Sequence, residues 1–289
     1  MILLFPSDYF HPKQVDADLH EEYQSAKETG LYQIILFDYE KFFHENRLIL
    51  SEKPDSPEIG IYRGWMMHPE QYAFLYRELL NARISLVNPP EQYRKFHLFP
   101  EIYESIKEDT AEILLYPLYE KLEIQEILQS FDRFLIKDYV KSLKDPRFPN
   151  YFDKHTTQAE LDAYMQKFYQ FRGDLLTGGL CIKNYLDLKR YAGHTNEYRT
   201  FYAGNEVLSV RRNSGQDGNT PVPPEWLIRK YQSLESRYYT LDFAESEDGS
   251  WKILEAGDGG VSGLAQSEDI KKYYQDMYGI FIKTCHIRI

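Results

Sequence analysis

A chain of 289 residues, 43% hydrophobic and 27% charged, is long enough to bury a sizeable core and to divide into two lobes. Its net charge of -11 argues against a phosphate-backbone binder, which needs a basic stripe, but leaves room for a local basic cleft. Two cysteines, Cys181 and Cys285, form neither a disulfide framework nor a CxxC metal pattern, so a reducing cytoplasm is the expected setting. The apolar start, Met1 to Phe5, is too short for a signal peptide and has no basic leader, and no later segment reaches transmembrane length.

In chain order, residues 2–5 read as a strand, 15–29 as a helix stopped by Gly30, and 32–37 as a second strand. A third short strand ends at Ile59-Gly60-Ile61-Tyr62. His68-Pro69-Glu70 then opens a helix to Asn81, with proline in the first turn where its missing N–H costs nothing. Residues 85–88 form another short extended run. This strand–helix alternation predicts a small parallel α/β unit over about residues 1–95. Residues 99–130 carry apolar positions at three- and four-residue spacing and read as helical. A strand at 131–136, a polar loop and a helix to Phe171 follow. From Leu180 the pattern turns antiparallel, with strands at 180–182, 198–202 and 207–210 and a closing hairpin. The fold class is therefore α/β (α+β): a Rossmann-like first domain, then a second domain over 96–289, with a ligand cleft expected between lobes.

The closing hairpin joins Leu241-Asp242-Phe243-Ala244 to Trp251-Lys252-Ile253-Leu254-Glu255 through Asp248-Gly249, the strongest short hairpin signal. A two-residue turn there places Phe243 opposite Leu254, Ala244 opposite Ile253, Glu245 opposite Lys252, and Asp242 opposite Glu255. Directly opposed side chains stand about 5 Å apart at Cβ, and at an effective dielectric near ~20 two carboxylates there repel by roughly 3 kcal/mol. A cation between them offsets that repulsion, and Mg²⁺ suits one or two carboxylates plus phosphate. An open hairpin end with the acids splayed into water is the competing account. Basic residues recur nearby. Lys137 follows the strand at 131–136, where a compact charge suits phosphate, although a solvated strand end explains it too. Arg199 lies in Glu197-Tyr198-Arg199, and Arg211-Arg212 end the next strand. A two-residue Gly204-Asn205 turn sets Arg199 on one face with Arg212 and turns Arg211 away; a longer loop exchanges the two. An ion-pair patch on an open sheet would look the same.

Together these residues resemble the ATP-grasp superfamily over roughly residues 96–289, with the first unit similar to the domain that precedes the grasp. The resemblance is carried by Asp242 and Glu255 within Leu241–Ala244 and Trp251–Leu264. It extends to the small bacterial and phage clade named for two arginines and one lysine, through Phe134-Leu135-Ile136-Lys137-Asp138-Tyr139-Val140-Lys141-Ser142, Glu197-Tyr198-Arg199 and Glu255-Ala256-Gly257-Asp258-Gly259. The resemblance implies ATP and Mg²⁺ as cofactors. Lys137 would hold the α/β-phosphates, while Lys183, Asn184, Tyr185 and Leu186 would form the hinge against adenine. Glu197 would approach the ribose, Arg199 with Arg211 or Arg212 would face the γ-phosphate or acyl phosphate, and Asp242 and Glu255 would carry the metal.

The sequence departs from the family pattern at two places. Gly257 stands where many ATP-grasp enzymes have a metal-binding asparagine, leaving Asp258 or a water as the candidate replacement. The segment 141–155, in the place of a glycine-rich phosphate loop, has no glycine, so Lys141, Ser142 and Lys144 would have to reach phosphate by side chain. The implied activity is a ligase that activates a carboxylate as an acyl phosphate and joins it to an amine. A phosphotransferase with the same clamp and a non-catalytic nucleotide-binding protein are the alternatives. Small-molecule or peptide substrates are the expected partners, with no nucleic acid and no membrane. Arg63, in the loop after the third strand, is the candidate grip for an acceptor carboxylate, because such loops face the ligand crevice; Trp65 and Met67 beside it fit a helix cap equally well.

Overall fold

The computed structural model describes residues 1–142 and 149–285. The first four strands, β1 (Ile2–Pro6), β2 (Gln33–Phe37), β3 (Glu58–Tyr62) and β4 (Ile84–Leu86), form one parallel sheet in the order β2-β1-β3-β4. β1 is buried along its whole length, which is why it reads as a continuous apolar run without alternation. Helix His20–Thr29 ends at Gly30 in the left-handed region (φ 67°), and helix Pro69–Asn81 begins with proline and a His68/Gln71 capping box.

A second sheet is antiparallel. It contains β5 (Ile113–Tyr116), β6 (Arg133–Asp138), β7 (Phe152–Asp153) and β8 (Leu180–Asn184) in the order β5-β8-β6-β7. β5 falls inside the stretch expected to be helical. Only Phe99–Ile106 and the single turn Ile124–Ile127 are α-helix there. Ile113-Leu114-Leu115-Tyr116 is a short apolar run whose period fits helix or strand, and pairing with β8 decides it. Thr157 and Glu160 form a capping box on helix Gln158–Arg172, whose buried Leu161, Tyr164 and Phe168 cover this sheet.

The two-residue ladder β9 (Arg190–Tyr191) with β10 (His194–Thr195) leads to the third sheet. It holds β11 (Glu197–Ala203), β12 (Glu206–Arg212), β13 (Tyr238–Glu245) and β14 (Trp251–Asp258), in the order β12-β11-β13-β14. Helix Ile270–Cys285 packs with helix His20–Thr29. Together they join Phe201, Tyr238 and Tyr274 to Leu3, Phe5 and Ile61 in one core, so the first and third sheets are tied by shared burial. Among the described residues, no helix is long and apolar enough to cross a membrane.

Two irregularities in the third sheet set the geometry of the site. Around the closing hairpin, Ser246 N–H donates to Ser250 (2.8 Å) and Gly249 N–H to Ser246 (2.9 Å), with Gly249 at φ 81°. The loop thus has three residues, a tight turn followed by a left-handed glycine, instead of the expected two. Near it Phe243 pairs with Ile253, Ala244 with Lys252 and Glu245 with Trp251, one residue off the expected partners. A bulge at Leu254 then restores the register, so Asp242 does face Glu255. Between β11 and β12 the turn is the expected Gly204-Asn205 pair, both at positive φ (54° and 69°). There a bulge at Leu208 shifts the ladder, and Arg199 pairs with Arg211 while Arg212 pairs with Tyr198. This reverses the expectation for the two arginines: turn chemistry was readable, the bulge was not.

Candidate functional site

The acid pair lies in the middle of the third sheet. Asp242 is 7% exposed, and its carboxylate does not stand unpaired. Arg199, directly opposite on β11, donates from Nε and Nη2 to its two oxygens at 2.8 and 2.7 Å, and from Nη1 to the Gly263 carbonyl at 2.9 Å. A guanidinium therefore occupies the negative spot created by Asp242 and Glu255, which marks it as a place where positive charge is stabilised. Both donors are hard oxygens on facing strands, and a pair of carboxylates suits Mg²⁺, which keeps waters and takes substrate phosphate for its remaining positions.

On the facing sheet, Lys137 of β6 and Lys183 of β8 sit diagonally across neighbouring strands, 4% and 5% exposed. Their ammonium groups stand over one ring, Phe99, at 5.0 and 4.2 Å from its centroid. Lys183 also donates to the Leu254 carbonyl at 2.6 Å, bridging the second and third sheets. Burial lowers the pKa of Lys183 to about 7, and the neighbouring Lys137 charge pushes it the same way. Two cations crowded in this way are a poor arrangement for folding and a good one for a polyphosphate.

A cavity of about 300 Å³ is lined by Lys137, Lys183, Asn184, Tyr185, Leu186 and Glu197, bringing together most of the residues expected to contact nucleotide. A second, of about 410 Å³, extends toward the first sheet between His97, Lys141, Thr240 and Ser262. Both are lined by Arg199, Asp242, Glu255 and Ser142, so the two spaces meet at the acid pair. Asp138 fixes the turn after β6: its Oδ1 accepts from Val140 N–H and Lys141 N–H, each at 2.7 Å, and Arg172 donates to its Oδ2 at 2.9 and 2.6 Å. Sequence reasoning missed Asp138, although an aspartate closing a strand before a turn was a readable signal. It also missed Phe99 and His97, whose positions are set by tertiary contact alone. Lys144 lies outside the described residues.

A family model for the ATP-grasp domain, family 3 of the clade named for two arginines and one lysine, matches residues 109–277. The chain belongs to this family. Among solved structures its fold is similar to the D-alanine-D-alanine ligase from Coxiella burnetii, with a TM-score of 0.64 and 8% identity over 99% of this chain and 95% of that one. It is similar also to the D-cycloserine synthetase DcsG (TM-score 0.60, 11% identity, 96% and 99% covered). A third similar structure is the ATP-grasp ligase PsnB complexed with a phosphomimetic variant of minimal precursor, Mg and ADP (TM-score 0.59, 10% identity, 97% and 98% covered). No curated protein sequence matches the chain.

Three expected residues sit differently in this ATP-grasp domain. Asp258 is 2% exposed and faces the first sheet: Asn88 Nδ2 donates to it at 2.5 Å and Gly260 N–H at 2.8 Å, while burial raises its pKa to about 6. It does not complete a trio with Asp242 and Glu255, and among the described residues no group of three or more such ligands occurs. A side chain at position 257 would have to displace two hydroxyls. An added Cβ would stand 2.8 Å from Ser262 Oγ and 3.0 Å from Thr240 Oγ1, two hydroxyls bonded to each other at 2.9 Å. Arg63 is not at the cleft surface. It is 2% exposed, ion-paired to Glu22 at 2.8 Å, and donates to the Gly259 and Ser262 carbonyls at 2.5 and 2.9 Å. Its side chain fixes the loop behind the acid pair. Of the other two arginines, Arg211 pairs with Glu268 at 3.1 Å and the Arg212 guanidinium lies against Gly218; neither lines either of the joined cavities.

Proposed function

We propose that the protein is an ATP- and Mg²⁺-dependent ligase that activates a carboxylate and joins it to an amine, releasing ADP. The observation that carries this reading is the meeting of two cavities at Arg199, Asp242 and Glu255: one has the cations and hinge for a nucleotide, the other leaves room for an acceptor. The solved ligases of the same fold, one of them holding Mg and ADP, support it. When bound, Mg·ATP supplies the phosphoryl group that converts the carboxylate to an acyl phosphate, from which the amine displaces phosphate. In this arrangement Lys137 and Lys183 hold the phosphates, residues 183–186 flank adenine, and Glu197 meets the ribose. Asp242 and Glu255 hold the metal, Arg199 passes from Asp242 to the transferring phosphoryl group, and Arg211 approaches on the same face. The part played by these side chains is electrostatic and positional. We take residues 1–95 as the preceding domain and 96–289 as the grasp, with peptide or small-molecule substrates in a cytoplasmic setting.

Glu255→Gln tests the assignment, because the change is nearly isosteric and removes one charge. Calorimetric titration should show weaker Mg·ATP binding, with the thermal midpoint retained and ADP release lost. Unchanged affinity and unchanged ADP release would remove Glu255 from the metal site. A parent protein that binds Mg·ATP but releases no ADP with any carboxylate and amine supplied would leave the non-catalytic nucleotide-binding reading in its place.

A further inference from the structure

Arg212, the last residue of β12, is half-buried and lines a cavity of about 600 Å³ outside the two that join at the acid pair. Among the described residues its guanidinium forms no hydrogen bond and no ion pair, whereas Arg199 and Arg211 of the same sheet hold Asp242 and Glu268. The chain has a net charge of -11, so acids are in excess, yet none of the residues lining this cavity is acidic. The guanidinium lies against backbone: a Cβ added at Gly218 would stand 3.3 Å from its Nη1. Partial burial removes some of the water around an arginine's N–H donors, and here no protein acceptor replaces it.

The loop that follows Arg212 is fastened from within. Gln216 is 5% exposed; its Oε1 accepts from Ser214 N–H at 3.0 Å and its Nε2 donates to the Glu197 carbonyl. Asn213 N–H donates to the same carbonyl at 2.9 Å, and the His194 ring donates to the Ser214 carbonyl at 3.0 Å. These bonds set the loop's shape before any ligand arrives, which lowers the ordering cost of binding. Asn213, Gln266 and Ser267 add amide and hydroxyl groups to the wall, and Leu264 adds an apolar contact. Asn213 also lines the nucleotide cavity, so the two spaces adjoin there.

Charge and shape set what fits. A single guanidinium with no second cation on the wall balances one negative charge, not the nearly two of a phosphate monoester. Its planar fork matches the two oxygens of a carboxylate. The space admits a ligand the size of an amino acid or a short peptide segment, and the wall amides suit the amide groups of such a chain. We propose that this cavity is a carboxylate-binding site anchored by Arg212, separate from the nucleotide and acceptor spaces. It takes a free dicarboxylic acid or the acidic side chain of a peptide. The site stands on this cavity alone, whether or not the protein turns over.

Nuclear magnetic resonance of the full chain, with arginine labelled in the guanidinium, tests this; the signal missing from Arg212→Gln identifies Arg212. The probes are glutarate, the capped tripeptide alanine-glutamate-alanine, its glutamine counterpart, and inorganic phosphate. At least one of the two carboxylates should shift the Arg212 signal saturably, with the glutamine peptide and phosphate about tenfold weaker or worse. Tighter glutarate marks a free acid as the ligand, and tighter glutamate peptide marks a polypeptide side chain. Arg212→Gln should lower carboxylate affinity about tenfold at an unchanged thermal midpoint, and Arg212→Lys, which keeps the charge but loses the fork, should recover only part of it. The proposal is overturned if neither carboxylate moves the signal, if phosphate or the glutamine peptide binds as tightly as the better carboxylate, or if Arg212→Gln binds like the parent. With the non-hydrolysable analogue AMP-PNP and Mg²⁺ in excess the shift should persist; its loss would give Arg212 to the nucleotide and overturn the separate site.

Discussion

Lys183 is a lysine held where water barely reaches, and its cost has a definite pH signature. Burial lowers its pKa from 10.5 to about 7 in the folded chain, helped by the nearby Lys137. Between those values the unfolded chain holds a proton that the folded chain has released. The penalty is therefore complete below about pH 7 and fades toward pH 10.5, so this residue makes the ligand-free protein more stable as pH rises through that window. Urea midpoints at pH 7 and pH 9 check it: Lys183→Met should remove part of the parent's gain, and equal gains in both proteins would count against a buried neutral lysine. A bound polyphosphate restores the charge, so nucleotide binding near pH 8.5 should take up protons in the parent more than in the variant. The second residue-scale prediction concerns the arginines. Arg211, not Arg212, shares the ladder position of Arg199. Arginine at a transferring phosphoryl group acts mostly in the transition state. Turnover should therefore fall strongly in Arg199→Ala and Arg211→Ala and mildly in Arg212→Ala. A severe Arg212→Ala with a mild Arg211→Ala would contradict the register.

At the scale of elements, the loop after β14 is held from behind. Arg63, at the end of β3, ties Gly259 and Ser262 to Glu22, and the Tyr274 hydroxyl donates to the same glutamate at 2.7 Å. Arg63→Met should cost about 3–5 kcal/mol of stability, because it leaves Glu22 buried without its partner. Denaturant unfolding measures that loss. Full stability with only a raised KM for an acceptor would instead make Arg63 a substrate grip. The same element shows where the sequence could and could not be read. A parallel sheet was legible from apolar runs, proline at a helix start and glycine at a helix end, all of which are local. Arg63 was placed correctly at a strand's carboxyl end, but the burial of that position depends on the C-terminal helix some two hundred residues later. The Asp242–Glu255 opposition emerged from the correct hairpin for an incomplete reason. A longer loop and a bulge at Leu254 offset each other, and neither leaves a pattern in apolar spacing. At Leu208 no second irregularity compensated, and the arginine assignment reversed.

For the whole molecule, the expected architecture rested on order: a lysine on one sheet, an acid pair on another, and a hinge strand between them. That order is what the family resemblance read, and the matched residues 109–277 fall within the span it covered. What order does not convey is that Met66 and His97, distant in sequence from the third sheet, line the larger cavity together with the loop at 258–263. Every ligase role assigned above depends on nucleotide phosphates lying between Lys137 and Lys183 on one sheet and Asp242 and Glu255 on the other. A crystal structure with AMP-PNP and Mg²⁺ decides whether they do. Adenine should lie against residues 183–186, with the metal bound by Asp242 and Glu255 and Arg199 turned from Asp242 toward the γ-phosphate. Nucleotide bound elsewhere, or phosphates in this cleft with Arg199 still clasping Asp242 and no metal beside Glu255, would contradict those roles.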